Sequence, residues 1–277
     1  MKLKKLLNLD FVKDFEKLLV TDFEKELLKA CLRNYASHGN PLRFHNFAFS
    51  MRELVLHVIE RNGPKSKVKK AVWYQKDGTD RDVTRRQQIK YCAQGMLSDA
   101  YLRDFFLEDL NGQISEYLEE FKFFNKYTHI TEKYYKVDAR KFFEDAKLVV
   151  QLSKCMIDEI GNLRSLVEET LVSAVHEPIC DIINSIESAD LMELANHVTI
   201  DYLLVNEVVV EKYDDQYVYA SANGDVHVSQ QYGPKNDICI IDGKYPFTLK
   251  FISSVRDPND IRPLQEELEI DTSSWYE

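Results

Sequence analysis

The chain has 277 residues, 44% hydrophobic and 12% aromatic, with only nine glycines and seven prolines. That composition excludes a disordered or collagen-like chain and disfavours a turn-rich all-β fold. The formal net charge of −10 is unevenly spread: residues 1–137 hold 25 Lys/Arg against 19 Asp/Glu, and residues 138–277 hold 11 against 27. Such asymmetry points to different partners for the two halves.

The opening "MKLKKLLNLDFVKDF" starts basic, but Asn8, Asp10, Lys13 and Asp14 break its apolar run, so no signal-peptide core forms. No stretch reaches the roughly 20 apolar residues that span a bilayer. The five cysteines are far apart and form no CxxC pair, so neither a zinc site nor a disulfide framework is expected. The chain reads as cytoplasmic, with no membrane contact, cofactor or metal.

"TDFEKELLKACLRNY" opens with Thr21 and Glu24 at capping-box spacing and lines Phe23, Leu27, Cys31 and Tyr35 along one face. "HGNP" stops that helix, and Asn40 with Pro41 starts another over about 41–61. Its inward residues are Phe44, Phe47, Met51, Leu54, Val55 and Val58. Residues 61–90 form a basic segment with ten Lys/Arg and three acids around Trp73 and Tyr74. Thr84 and Gln87 repeat the capping box. A further helix is expected from about Asn111 to Tyr127.

Residues 138–198 carry apolar positions at steps of three and four, from Phe142 through Ala146, Val149 and Met156 to Val167 and Ala174. Either an intramolecular helix pair or a dimer helix fits that seam. Gly161-Asn162 is the expected interruption. After Asp201 short β-branched and aromatic runs alternate with turn signals, and Asn223-Gly224 has the letters of a hairpin turn. About four antiparallel strands are expected over 200–256, with an acidic, loosely held tail.

Three arrangements offer chemistry. Arg33-x4-His38 has the spacing of HEPN ribonucleases, but chance alone supplies such matches, as Arg52-x4-His57 shows. Gly39 after it suits a helix C-cap, where a cationic His is favoured. Lys122, Asn125 and His129 fall at i, i+3 and i+7 and share a helix face. They give either a phosphate-binding acid–base site or the polar end of a packed helix. Arg43, Asn46, Ser50 and Glu53 form a polar stripe on helix 41–61, a site wall or merely its solvated face. The basic segment could hold a nucleic-acid backbone, with Trp73 stacking a base, or be a solvated loop. There is no P-loop, GxGxxG, HExxH or GxSxG, and "EVVVEKY", which holds acids and a Lys, has no Glu-x-Lys.

Several stretches together resemble one family: "NPLRFHNFAFSMREL", "TRRQQIKYCAQGMLSD", "NKYTHIT", "LMELANHVTIDYL", "DVHVSQQYGPKNDI" and "YPF". They resemble the predicted prokaryotic PIWI (pPIWI)-associating nucleases of bacterial conflict and defence loci, over about residues 30–255. Ser229-Gln230 stands where that family usually has a carboxylate before Gln231. The resemblance implies an α+β chain that acts on nucleic acid, RNA ahead of DNA.

The expected architecture is a HEPN-like helical domain at 1–137, a helical connector with possible dimerisation helices at 138–199, and a small antiparallel β domain with an acidic tail at 200–277. The expected activity is a metal-independent ribonuclease. His129 would be the acid/base and Asn125 its orienter, with Arg43 beside them. Arg86, Arg85, Lys122, Arg52 and Trp73 would hold substrate. A homodimer is expected, with a defence-system partner docked on the β domain. The alternative is a non-catalytic ligand- or partner-binding module that docks a separate effector.

Overall fold

In a computed structural model of the protein, the residues described are 2–78, 82–102, 104–135, 138–185, 191, 193–234, 237–264 and 269–275; of 104–107, 123–125, 127, 133, 134, 139 and 183–185 only the backbone is described. Helices come first: α1 Leu3–Leu6, α2 Asp10–Lys17, α3 Asp22–Ala36, α4 Arg43–Asn62, α5 Lys65–Val68, α6 Arg85–Gln94, α7 Asp104–Thr128, α8 Glu132–Tyr135 and α9 Ala139–Ser185. One antiparallel sheet follows: β1 His197–Tyr213, β2 Tyr217–Tyr232, β3 Cys239–Ser254, β4 Asp257–Pro263 and β5 Glu269–Ile270. The fold is α+β. No described helix is long and apolar enough to cross a membrane.

The chain divides into two compact units. The first holds residues 1–70, 74–95 and 107–166, and the second holds 71–73, 96–106 and 167–277. Helix α9 contributes to both, and Gly161-Asn162 does not interrupt it.

Both expected capping boxes start helices of the first unit. Thr21 and Glu24 exchange hydrogen bonds at the head of α3, and Thr84 and Gln87 do so at the head of α6. Asn40 acts differently from its expected cap role: its Oδ1 accepts from the Leu42 N–H at 2.9 Å, and α4 begins at Arg43. All six residues expected inward on α4 are buried. The buried face of α3 is rotated by one residue, running through Glu24, Leu28, Cys31, Leu32 and Tyr35, while Phe23 is 56% exposed. The cause is Glu24, whose carboxylate is drawn inside by the cap and by Arg61. Tyr35, Phe44, Phe47 and Phe142 close the core with ring centroids 4.6–5.6 Å apart. In α9 Phe142, Ala146, Val149, Met156 and Leu163 are buried within their own chain.

In the second unit β2 alternates strictly, with Val218, Ala220, Ala222, Val226 and Val228 inward. Tyr245, Phe247, Leu249 and Phe251 of β3 pack on the same side. Buried Tyr101 holds a preceding loop to the sheet, its hydroxyl bonded to Ser253 Oγ at 2.7 Å and to the Ser254 carbonyl.

Asn223-Gly224 is not a turn. It lies mid-strand in β2, paired with Glu207 and Val205 on one side and Thr248 and Phe247 on the other. Glycine is needed there because a Cβ would lie 2.1 Å from the Leu204 carbonyl and 2.7 Å from the Phe247 ring. The β1–β2 turn is built by Asp214, whose Oδ1 accepts from the N–H groups of Gln216 and Tyr217 at 2.8 Å. Part of the tail expected to be loose is in fact strand: β4 and β5 both pair with β3.

Candidate functional site

A cleft of about 500 Å³ opens in the first unit where α3, α4 and α6 meet, a volume that fits a mononucleotide-sized ligand. Its polar lining is Glu53, His57 and Glu60 of α4, Lys65 of α5, and Arg85 and Gln88 of α6. Phe23 forms an apolar wall, its ring meeting the His57 ring edge-on at 4.8 Å.

Behind His57 lies Glu24, which is fully buried. Its carboxylate accepts from the N–H groups of Val20 and Thr21 at 2.9 and 3.2 Å and from Arg61 Nε at 2.7 Å. His57 Nε2 is 4.0 Å from the same carboxylate. Burial pushes the Glu24 pKa up, but the Arg61 and backbone hydrogen bonds outweigh it and hold the group below the usual carboxylate range. Glu24 is therefore a fixed negative charge beside the imidazole, leaving Nδ1 as the ring nitrogen not engaged with it. Gln88 Nε2 donates to Glu60 at 2.5 Å and to the Gly63 carbonyl at 3.1 Å, which ties α6 to the end of α4.

The expected site residues fall in both units, with Trp73 in the second and the others in the first. Arg86 is exposed and donates to Ser115 Oγ of α7 at 2.7 Å. Residue 129 is fourteen positions further on, about 21 Å along a helix axis, so this guanidinium and that imidazole do not share a phosphate. Lys122 is exposed and paired with Glu119. His129 is exposed just past the end of α7, and the Asn125 side chain lies outside the described residues.

Arg43 sits at the head of α4. Its Nη1 donates to His38 Nδ1 at 2.5 Å, and its guanidinium lies over the Phe142 ring at 4.5 Å. A guanidinium offers no acceptor, so a neutral His38 carries its proton on Nε2. The groove between α7 and α9 is lined by residues 113–120 and 152–159, and the short link between these helices makes them antiparallel. That register brings residue 129 level with about residue 143, the same end of the bundle as Arg43.

Arg85 does reach the cleft and stacks on Phe121 at 4.1 Å. Arg52 is half-buried, and its Nε is sealed from solvent with no hydrogen-bond partner among the described residues. His57 stands five residues on, about 140° around α4, so the two side chains leave the helix on different faces. Trp73 is half-buried and belongs to the second unit. The basic segment is partly neutralised from within, because Lys69 and Lys76 pair with Asp82 at 2.7 and 3.5 Å.

Sequence reasoning passed over Glu24, His57, Glu60, Lys65 and Gln88 as a group. The available signal was the i, i+4, i+7 spacing of Glu53, His57 and Glu60, one face of α4.

The sheet presents a second possibility. Asp225 lies on β2, and Asp242-Gly243-Lys244 lies on β3, the letters of a restriction-type metal core with Asp in place of Glu. Register rules it out. Asp242 pairs with Ser229, four residues from Asp225, or about 14 Å along the strand. The two carboxylates do not share one ion. Asp225 instead bonds Asn206 at 2.8 Å and Lys244 at 3.2 Å.

The chain matches two family models, each described as a predicted pPIWI-associating nuclease, over residues 16–152 and 160–276. It belongs to that family. No curated protein and no solved structure matches the chain. The break between the two matched segments falls inside α9.

Proposed function

We propose that this protein is a ribonuclease of a pPIWI-linked defence system, and that it cuts single-stranded RNA without a metal ion in the cleft between α3, α4 and α6. The observation that carries the reading is His57: it lines a ligand-sized cleft together with two cations, with a buried carboxylate behind it. The family description supports action on nucleic acid.

In this reading Lys65 and Arg85 hold the phosphate. The exposed face of Phe23 stacks a base, which demands an unpaired strand. His57 takes the proton of the 2′-hydroxyl. The new O2′–P bond forms as the P–O5′ bond breaks, and the leaving oxygen takes a proton from water. The products are a 2′,3′-cyclic phosphate and a 5′-hydroxyl. His57→Ala should abolish cleavage of a single-stranded RNA while leaving the melting temperature nearly unchanged, and the same strand made of DNA should survive. A purified wild-type protein that cuts no RNA ends the proposal.

A second reading rests on the charge of the lining. Glu53 and Glu60 balance Lys65 and Arg85, which suits a small ligand better than a polyanion. The protein would then bind a nucleotide without cutting, with the sheet docking a separate effector. Nucleotide binding lost in His57→Ala, with RNA left intact by wild type, would select it.

A further inference from the structure

Besides the outer sides of β4 and β5, the sheet has two open edges among the described residues, and they differ in kind. One is β1, which carries three register shifts against β2 and has Asp201, Glu207 and Glu211 along its length. Bulges and charges are how proteins blunt an edge against pairing. The other is the first half of β3. It pairs with β2 without any register shift, but β4 and β5 cover it only over residues 247–254. Residues 239–245 have no described strand on that side. This stretch is also apolar: Ile238, Ile240 and Ile241 are 46%, 63% and 42% exposed. Since neighbours in a strand point to opposite faces, this corner exposes apolar side chains on both, with Trp275 reaching one of them where it stacks on Tyr232 opposite Cys239.

The hydrogen-bond direction of the open edge is fixed by its covered half. The Lys250 carbonyl accepts from Leu264 N–H and the Pro246 carbonyl from Asp271 N–H, both at 2.9 Å. Even-numbered residues of β3 therefore turn their N–H and C=O groups to this side. By the two-residue repeat, Asp242 and Lys244 do the same.

We propose that the β3 edge pairs with the β3 edge of a second copy of this chain, antiparallel, about a two-fold axis at Gly243. Charge complementarity selects that occupant. With the axis at Gly243, Asp242 of each copy stands opposite Lys244 of the other as a hydrogen-bonded pair, and Ile241 stands opposite Tyr245. The two pairs exchange four backbone hydrogen bonds and two cross-strand ion pairs. Both side chains are exposed and on one face. Lys244 lies 3.2 Å from Asp225 of its own chain and would sit between two carboxylates. Pairing stops at Pro246, which has no N–H and whose carbonyl is already engaged. The interface is self-complementary, as a two-fold dimer requires, and short, so its affinity is modest.

The test is charge reversal read by sedimentation across a concentration series. Wild type should dimerise as concentration rises. Asp242→Lys sets Lys against Lys at both positions, and Lys244→Asp sets Asp against Asp. Each should weaken association about tenfold, from two cross-strand like-charge pairs. The double reversal restores opposite charges and should recover most of the dimer. Far-UV circular dichroism checks that each variant is folded. A wild type that stays monomeric throughout overturns the proposal, as does a dimer indifferent to both single reversals. A monomer that captures a foreign strand at this edge overturns it equally. None of these outcomes depends on RNA cleavage.

Discussion

Glu24 gives the sharpest test of how the first unit is held together. It is fully buried and accepts hydrogen bonds from Arg61 and from two backbone N–H groups at the head of α3. Glu24→Ala removes half of a capping box, a loss of about 1 kcal/mol. It also leaves Arg61 without its partner. Breaking a buried pair costs about 3–5 kcal/mol, but the Arg61 side chain is 29% exposed, so water recovers part of that. A total loss of about 3–4 kcal/mol is expected at neutral pH. Glu24→Gln keeps the volume and one carbonyl acceptor but not the charge, and should lose about 2 kcal/mol. Because the folded pKa lies below the unfolded one, the carboxylate's contribution is full above the unfolded value near about 4.3 and fades as pH falls through the lower folded value. The gap between wild type and Glu24→Gln should therefore be widest at pH 7 and should close as the medium is acidified past about pH 4. Urea unfolding followed by the helical circular dichroism signal reads it. A gap below about 1 kcal/mol at pH 7, or one unchanged on acidification, refutes the reasoning.

Two further predictions concern the sheet and the thiols. Gly224→Ala places a Cβ against the Leu204 carbonyl and the Phe247 ring; the backbone contact has no flexible end to move, so a loss above about 3 kcal/mol is expected in thermal unfolding. Cys31 and Cys92 are buried, and burial pushes both thiols up to about 12, whereas Cys155 and Cys239 are exposed. A thiol reagent at pH 8 should therefore modify Cys155 in the folded protein and reach Cys31 and Cys92 only after denaturation, with the modified sites read by peptide mass.

Capping chemistry and local periodicity were legible before folding was considered. Thr21 with Glu24 and Thr84 with Gln87 start helices because their donors and acceptors are three residues apart in any context. The inward face of α4 and most of the α9 seam follow from 3.6-residue spacing alone. The family resemblance rested likewise on short contiguous stretches. Signals with two physical causes were read less well. Asn-Gly favours a turn through backbone freedom, but at Gly224 the same absent side chain serves a close approach by β1 and β3. Phe23 looks like a core residue on a helical wheel, until the burial of Glu24 rotates α3 and leaves the ring outside.

By itself, the sequence determined the α+β class, the capping-box starts of α3 and α6, the strand-rich last third and the family. Each of these depends on residues within a few positions of one another. Tertiary structure alone decided which cations meet an imidazole, because Phe23, His57, Lys65 and Arg85 come from four separate segments. It also decided that Asp225 and Asp242 stand four residues out of register, and that β3 is left half uncovered. Strand register and helix packing are set by the sum of many weak contacts, and no local pattern along the chain encodes that sum.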